Sequence, residues 1–308
     1  MTRAVVCAYH NVGVRCLKTL LAHGIDVALV ITHDDLPQEQ IWFESVAATA
    51  ADYGIATIAP TDPNAGDVVT RVAGCRPDFL FSFYYRQLLK PPLLALPPRG
   101  ALNVHGSLLP KFRGRAPVNW AIIHGAIQTG ATLHYMTEKP DAGDIVAQSA
   151  VPILPDDTAQ EVFAKVTVAA ELALHAALPS LVAGTAPRYA QDPAEASYFG
   201  GRKPEDGTID WWQAAPVIHN LVRAVAPPYP GARTRLRGRP ARVLRSRVHD
   251  AAAPATSRPA LAFDRGEIVA HCGGGGVLAI RALEIDGAPV TPAALVEICG
   301  GMPVPLVD

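Results

Sequence analysis

The stretch from Ala4 to Thr32, AVVCAYHNVGVRCLKTLLAHGIDVALVIT, decides the fold class. Two β-branched apolar runs, at residues 4–9 and 27–32, are typical of buried strands. The segment between them carries apolar residues at helical spacing, namely Val14, Leu17, Leu20 and Leu21. Asn11 can cap that helix, and Gly24 stands where a helix C-cap belongs. A strand, a helix and a strand in this order predict a βαβ unit and a parallel sheet.

The same alternation continues along the first 180 residues. Further strands are predicted at residues 56–59, 79–84, 102–104, 131–136 and 145–153. Further helices are predicted at residues 38–53, 115–124 and 158–182. Short apolar strands separated by longer helices predict an α/β protein with a Rossmann-like open, mostly parallel sheet.

The composition changes after about residue 190. Residues 192–206 are rich in small, polar and turn-forming side chains, as in a linker. Beyond them, short strand-like runs separated by glycine and proline predict a small β-rich module. We therefore predict a Rossmann-like domain at 1–191, a linker at 192–206 and a β-rich C-terminal domain at 207–308.

Composition and charge exclude several classes of protein. Of 308 residues, 49% are apolar and 18% are charged, so most of the chain is expected to fold. The net charge of −1 produces no global field for nucleic acid or an anionic membrane. No segment reads as a signal peptide or approaches roughly 18 apolar residues, which predicts a soluble cytoplasmic protein. Five widely spaced cysteines are expected to be reduced and mostly buried.

Several common enzyme motifs are missing. The sequence has no G-x-G-x-x-G after the first strand, no P-loop, no G-x-S-x-G and no H-E-x-x-H. The sequence therefore gives no motif evidence for a classical dinucleotide, nucleotide-triphosphate, hydrolase or zinc-protease site. No metal is expected either. An open α/β sheet still binds its ligand at the carboxyl ends of its strands, so the loops there hold the candidate site.

Two short segments carry polar groups suited to chemistry. Alternation along a strand puts Asn103 and His105 on the same face, side by side at its carboxyl end. Asp141 lies in a constrained turn after a proline between two predicted strands. Near His105, its carboxylate would orient the imidazole. A buried structural histidine and a turn-forming aspartate are the alternative interpretations.

The residues around these groups are similar to those of the folate-dependent formyltransferase family. The resemblance rests on Asn103-Val104-His105, the loop at 107–117 and Asp141-Ala142-Gly143, with further similar segments at 81–86, 206–211, 220–224 and 230–232. It covers nearly the whole chain. It implies a Rossmann-like domain followed by a small OB-like domain. Within the family, the sequence most resembles the formyltransferase domain of the bifunctional polymyxin-resistance subgroup, which formylates UDP-4-amino-4-deoxy-L-arabinose for lipid A modification.

The resemblance implies formyl transfer from 10-formyltetrahydrofolate to a primary amine, with catalytic roles for Asn103, His105 and Asp141. Asn103 would polarise the formyl carbonyl, His105 would move a proton, and Asp141 would hold His105. The segments implied to contact the folate supply Gln87, Leu88, Leu89, Arg115, Thr137, Glu138, Lys139, Pro140 and Asp141. The candidate residues for the acceptor are His10, Lys111, Arg113 and Arg202. Ordinary loop or core packing remains the alternative for these contacts.

Three functions remain open on the sequence. The first is an enzyme that formylates a nucleotide-linked amino sugar, and the second is a methionyl-tRNA formyltransferase. The third is a non-catalytic module that binds a sugar nucleotide or folate. No decarboxylase module is recognisable in the chain, so no NAD-dependent step is expected. The oligomeric state stays open.

Charge distribution favours the small acceptor. Residues 1–203 hold 16 basic and 18 acidic side chains, and residues 204–308 hold 11 and 10, whereas a tRNA enzyme needs a broad basic surface. The exception is a run of seven arginines between Arg233 and Arg247. We interpret it as a solvated edge strand protected by charge, with Arg233, Arg235, Arg237 and Arg239 alternating on one face.

Overall fold

A computed structural model describes residues 1–35 and 41–307, and the chain divides into two units. The first unit comprises Met1–Pro117, Gln128–Pro152 and Phe163–Gly200. The second comprises Val118–Ile127, Ile153–Val162 and Gly201–Asp308. The division predicted from the sequence, into domains at 1–191 and 207–308 that fold separately, stays a prediction.

The elements up to residue 200 alternate between strands and helices, as the apolar pattern predicts. In chain order they are β1 Arg3–Ala8, α1 His10–Ala22, β2 Asp26–Ile31, α2 Val46–Asp52, β3 Thr57–Ile58, α3 Gly66–Gly74, β4 Phe79–Phe83, α4 Pro91–Leu94, β5 Ala101–His105, β6 Arg113–Gly114, α5 Pro117–Ile123, β7 Gln128–Tyr135, β8 Ile145–Pro152, α6 Ala159–Ala183 and β9 Tyr198–Phe199. A short 3-10 helix covers Pro193–Glu195.

The main sheet of the first unit has the strand order β3-β2-β1-β4-β5-β7-β8. The first five of these strands are parallel, whereas β7 and β8 are antiparallel to their neighbours. Strand order reverses between β1 and β4, which opens a crevice at the carboxyl edge of the sheet. This arrangement confirms the predicted Rossmann-like fold class.

Strands β1 and β4 consist mainly of apolar residues because both faces of each strand are buried in the protein. One core cluster joins strand residues to helices α3 and α4. Its fully or nearly fully buried members are Val5, Cys7, Leu29, Ile31, Val68, Val72, Leu80, Leu89, Leu93 and Ala101. The short helices α3 and α4 were not predicted.

Two details of the predicted helices are wrong. Helix α1 begins after Tyr9 rather than at Asn11, whose side-chain oxygen instead accepts a hydrogen bond from the Glu44 N–H at 2.8 Å. The predicted helix at 38–53 shortens to α2, because Ser45 caps its start by accepting from the Ala48 N–H. Residues 38–40 of that prediction lie outside the described residues.

The second unit is built on an antiparallel sheet. After a 3-10 helix at Pro204–Gly207, its elements are α7 Ala215–Ala224, β10 Ala232–Leu236, β11 Arg239–Asp250, β12 Ala260–Asp264, β13 Glu267–His271, β14 Val277–Ile285, β15 Ala288–Pro289, α8 Pro292–Cys299 and β16 Val304–Pro305. The strand order is β10-β11-β14-β13-β12-β16, with β15 paired to β14. The predicted β-rich character of this region is confirmed.

The arginine run folds into the β10–β11 hairpin. Strand β10 lies at a sheet edge, as predicted, and Arg233 faces Arg242 across the hairpin. Of the four arginines predicted to share one strand face, only Arg233 and Arg235 lie on β10, because Arg237 lies in the hairpin turn with a φ of 51°. Arg239 begins the next strand and forms an ion pair with Asp286 at 2.7 Å. The predicted four-arginine face is therefore wrong.

A glycine run at residues 273–276 packs against the backbone before α7. A Cβ built on Gly274 would lie 2.5 Å from the backbone nitrogen of Ala214 and 2.7 Å from the carbonyl carbon of Gln213. Backbone cannot rotate away, so we expect Gly274→Ala to lower the free energy of unfolding by about 1–3 kcal/mol. Urea denaturation measures this change. Gly66→Ala is the control, because nothing lies within 4 Å of its added Cβ.

Helix α6 combines length with apolar composition. Among the helices of the described residues, it alone is long and apolar enough to cross a membrane, and half of its most apolar window is buried inside the protein. Core helices of soluble proteins meet the same test. The predicted cytoplasmic location stays a prediction.

Candidate active site

Strand pairing brings Asn103 and His134 together at the carboxyl end of β5. Asn103 on β5 faces His134 on the antiparallel strand β7, and Asn103 Nδ2 lies 3.2 Å from His134 Nε2. His134 Nδ1 lies 2.8 Å from the carbonyl oxygen of Tyr135, to which it donates. Nε2 is therefore the acceptor for the Asn103 amide. This hydrogen bond fixes which end of the amide is the donor.

Burial keeps His134 neutral. Its side chain is almost completely buried, and desolvation lowers its pKa to about 4, although the nearby Asp141 carboxylate acts in the opposite direction. A neutral ring has one donor and one acceptor nitrogen, which matches the two hydrogen bonds to Tyr135 and Asn103.

His105 lies two residues further along β5 and is also buried. Its Nε2 lies 2.8 Å from the carbonyl oxygen of Phe112, and its Nδ1 lies 3.5 Å from Asp141 Oδ1. Both oxygens are acceptors, so the neutral ring can donate to one of them and a protonated ring to both. The Phe112 carbonyl, rather than Asp141, makes the short contact in this structure.

Asp141 brings one carboxylate to both histidines. Its Oδ1 is 3.5 Å from His105 and 3.7 Å from His134, and its Oδ2 accepts a 2.8 Å hydrogen bond from the Gly114 N–H. The residue has a φ of 55°, in the left-handed region that aspartate tolerates better than most residues. The turn thus points the carboxylate inward, where its side chain is only 13% exposed.

Gln191 holds the Asp141 turn in place. Its amide nitrogen donates to the carbonyl oxygens of Asp141 and Gly143, at 2.9 and 2.7 Å. Its amide oxygen accepts two hydrogen bonds from the buried guanidinium of Arg113, at 3.1 and 2.6 Å. Arg113 itself is fixed by backbone pairing of β6 with β9. The site therefore depends on a segment about fifty residues beyond Asp141.

The loop after β5 is tied to the sheet by side-chain hydrogen bonds. Thr132 donates to the Ser107 carbonyl at 2.6 Å and accepts from the Leu109 N–H at 3.0 Å. Gln148 donates to the Leu109 carbonyl at 2.8 Å. A Cβ at Gly106 would overlap the Tyr84 hydroxyl. The Tyr84 side chain therefore fills the space that a larger residue at position 106 would need.

The residues predicted to contact the folate lie in two groups of different accessibility. Leu88 is 67% exposed, whereas Leu89 belongs to the apolar core and Gln87 donates to the Thr61 carbonyl at 2.8 Å. Around the Asp141 turn, the exposed residues are Arg115, Thr137, Glu138 and Lys139, and Pro140 is half-buried. Their contacts to a folate stay predictions.

The residues predicted to bind the acceptor are dispersed. His10 packs among Trp42, Phe43 and Phe163, with a ring distance of 3.9 Å to Phe43. Lys111 is exposed, with its ammonium 3.8 Å from the Glu195 carboxylate.

Two of the residues predicted to bind the acceptor are arginines that are shielded from solvent to different extents. The Arg113 guanidinium is buried against Gln191. Arg202, in the second unit, is half-buried, and desolvation lowers its pKa. Their roles in binding stay predictions.

Sequence reasoning missed His134, Gln191 and Thr132. The predicted strand at 131–136 includes His134, but the register of that strand against β5 was needed to put His134 opposite Asn103. Gln191 gave no local signal, because it acts through backbone oxygens that are distant in sequence.

Replacing His134 by glutamine tests its buried neutral state. The pKa is about 4 in the folded protein and near 6.5 in an unfolded chain, so only the unfolded state gains a proton in between. The stability contributed by the neutral ring is therefore present above pH 6.5 and lost as the pH falls toward 4. We expect the free energy of unfolding to fall less steeply between pH 6.5 and 4.5 in His134→Gln. Urea denaturation at several pH values measures this slope.

The exposed His271 provides the control for this experiment. His271→Gln is expected to keep the wild-type slope. Equal slopes in wild type and His134→Gln would contradict the buried neutral assignment.

An amide, an imidazole and a carboxylate at the carboxyl edge of a Rossmann-like sheet form a site suited to group transfer through an oxyanion. Residues 10–178 match the family described as formyl transferase, and residues 202–297 match the formyl transferase C-terminal domain. The chain belongs to the formyl transferase family.

Solved structures share the fold over most of the chain. One is the N-formyltransferase from Helicobacter canadensis in complex with folinic acid and dTDP-3-aminofucose, with a TM-score of 0.70 and 17% identity, covering 91% of this chain and 99% of the other. Another is WlaRD, a sugar 3N-formyl transferase, with a TM-score of 0.69 and 18% identity, covering 91% and 97%.

HypX from Aquifex aeolicus in complex with tetrahydrofolic acid is also similar, with a TM-score of 0.63 and 16% identity. The match covers 96% of this chain but 46% of HypX. At such identities the likeness shows the fold.

Proposed function

We propose that this protein transfers a formyl group from 10-formyltetrahydrofolate to the primary amine of a nucleotide-linked amino sugar. The observation that carries the proposal is the convergence of Asn103, His105 and Asp141 at one edge of the sheet. Family membership supplies the formyl chemistry. The structural neighbours bound to dTDP-3-aminofucose or dTDP support the acceptor class.

The residues beside the site provide the kinds of contact that 10-formyltetrahydrofolate, the formyl donor, would need. Leu88 exposes an apolar side chain, and the turn at 137–139 is exposed next to Asp141. A flat pteridine and its polar edge need apolar contact combined with nearby backbone and side-chain partners. We propose that these two segments hold the folate. The proposed reaction involves no metal, and among the described residues no group of three or more His, Cys, Asp or Glu side chains is arranged to hold a metal ion.

Asn103 would stabilise the charge that develops during transfer. Attack by the amine on the formyl carbon forms a C–N bond and moves negative charge onto the carbonyl oxygen. The Asn103 amide already uses one N–H to contact His134, which leaves its other N–H for that oxygen. A positioned donor of this kind contributes roughly 3 kcal/mol to transition-state stabilisation.

His105 would carry the proton that must change place. The attacking amine loses a proton, and the folate nitrogen gains one as its bond to the formyl carbon breaks. His105 has one nitrogen facing Asp141 and the other at the Phe112 carbonyl. For proton transfer, one ring nitrogen of His105 must give up its contact with the Phe112 carbonyl or the Asp141 carboxylate and contact the amine or the folate nitrogen instead. The Asp141 carboxylate would stabilise the imidazolium formed meanwhile.

The first acceptor to test is UDP-4-amino-4-deoxy-L-arabinose, as the sequence resemblance implies. Product formation in that case would place the enzyme in lipid A modification. A dTDP-linked 3-amino sugar is the second acceptor to test, because the Helicobacter canadensis N-formyltransferase is in complex with dTDP-3-aminofucose. The nearly balanced charge of the chain disfavours a tRNA acceptor.

The decisive experiment incubates purified protein with 10-formyltetrahydrofolate and one acceptor at a time. The acceptors are UDP-4-amino-4-deoxy-L-arabinose, dTDP-3-aminofucose and methionyl-tRNA, and mass spectrometry detects the formylated product. Formylation of a sugar nucleotide supports the proposal and identifies the nucleotide. Formylation of methionyl-tRNA alone would overturn it.

A further inference from the structure

The second unit contains a cavity of about 260 Å³ that the proposed reaction does not use. Helix α7 and the residues just before α6 form one side, and β11 with β14 forms the other. All of its lining residues belong to the second unit. The cavity is therefore a feature of this unit alone.

Positive charge dominates the cavity lining. Arg223, Arg245, Arg247 and Arg281 line it, and Asp156 is the only carboxylate among the described lining residues. The lining thus carries a net charge of about three positive. Just outside it, the Glu267 carboxylate pairs with Arg281, and the Glu161 carboxylate interacts electrostatically with Arg245. His219 adds no charge near neutral pH, because burial lowers its pKa.

Arg245 gives the cavity a cation with spare hydrogen-bonding capacity. Its side chain is exposed, and over the part of the chain that the structure describes it makes no hydrogen bond or ion pair, although the Glu161 carboxylate interacts with it electrostatically. The register of β11 against β14 is irregular on both sides of this residue. Such a bulge redirects a side chain out of the regular alternation.

The floor of the cavity is rigidly built. The buried Arg223 guanidinium donates to the carbonyl oxygens of Leu154 and Asp157 and to the side-chain oxygen of Asn220. His219 Nδ1 lies 2.9 Å from the Ser246 hydroxyl. These contacts hold α7 against β11, whereas the other arginines of the lining, Arg245, Arg247 and Arg281, have exposed side chains. A fixed base with adjustable guanidinium groups suits a compact anion.

We propose that this cavity binds a small phosphate anion with two or more negative charges, either free or as the diphosphate group of a nucleotide. The charge of such an anion matches the lining, and a tetrahedral phosphate offers enough oxygens for several guanidinium groups. A monocarboxylate would leave most of the positive charge uncompensated. The cavity volume accommodates a phosphate or diphosphate group but not a nucleic-acid helix.

Isothermal titration calorimetry with inorganic pyrophosphate, and in a separate arm with UDP, tests this proposal. We expect one site for pyrophosphate and a dissociation constant about tenfold higher in Arg245→Gln, since a charge-assisted hydrogen bond is lost. Dependence on Arg245 for UDP but not for pyrophosphate also supports the cavity and assigns the anion to a nucleotide. The proposal would be overturned if neither compound bound, or if Arg245→Gln left the affinity for both compounds unchanged.

Arg242→Gln is the matched control. Arg242 is an exposed arginine on the same strand and does not line the cavity. Equal weakening by both variants would indicate diffuse surface charge and overturn the proposal. A thermal melt of each variant verifies folding. UDP can also bind at the proposed acceptor site, but Arg245 is not one of the residues of that site. The change in affinity caused by Arg245→Gln therefore tests the cavity separately from the proposed transferase activity.

Discussion

His105→Ala is expected to lower kcat by about 10²–10⁴-fold, the range typical of a lost general acid–base group. Within the described part of the site, His105 is the residue on β5 whose imidazole contacts both the Phe112 carbonyl and the Asp141 carboxylate. Without it, the proton leaving the amine and the proton reaching the folate nitrogen must pass through water. Steady-state kinetics, with whichever sugar nucleotide proves to be formylated in the experiment proposed above, measures the loss.

His175→Ala is the control for His105, because His175 is exposed and lies on helix α6 away from the β5 strand. It is expected to keep wild-type kcat. A His105→Ala enzyme that folds normally and retains more than a tenth of the wild-type kcat would exclude the proton-transfer role.

Asn103→Asp is expected to reduce kcat by about 10²–10³-fold with little change in KM. The substitution keeps the shape of the side chain but removes its N–H donors. It also places a negative charge where the formyl oxygen becomes negative. The new carboxylate would face the acceptor nitrogen of His134, 3.2 Å away in the present arrangement, so the pKa of His134 is expected to rise.

Asn103→Ala separates the two effects in that substitution. It removes the donor without adding charge, so its kcat should lie between those of wild type and Asn103→Asp. NMR titration of His134 gives a second readout, which should move upward only in the aspartate variant. An Asn103→Asp enzyme with wild-type kcat would contradict the oxyanion role.

Sequence periodicity predicted those parts of the molecule that local patterns determine. The first βαβ unit follows from two buried strands and one amphipathic helix, and alternation on β5 placed Asn103 beside His105. Helices α3 and α4 escaped prediction because they are short and leave little room for a repeating apolar pattern.

The features that the sequence did not predict depend on which strands pair with each other and in which register. The contact between Asn103 and His134 depends on the register of antiparallel strands, and a shift of one residue would move His134 to the other face. The arginine run shows a related limit. Its alternation suggested one strand, but the turn at Arg237 divides it between two.

The hydrogen bonds of Gln191 have a consequence for how much of the chain a working catalyst requires. The match to the formyl transferase model ends at residue 178, and the C-terminal match begins at residue 202. Gln191 and strand β9 fall between them, although they hold the Asp141 turn and the β6 backbone. A shortened protein that keeps the Asp141 carboxylate in its position beside His105 must therefore extend at least to Phe199. This is beyond residue 178, where the match to the N-terminal family domain ends.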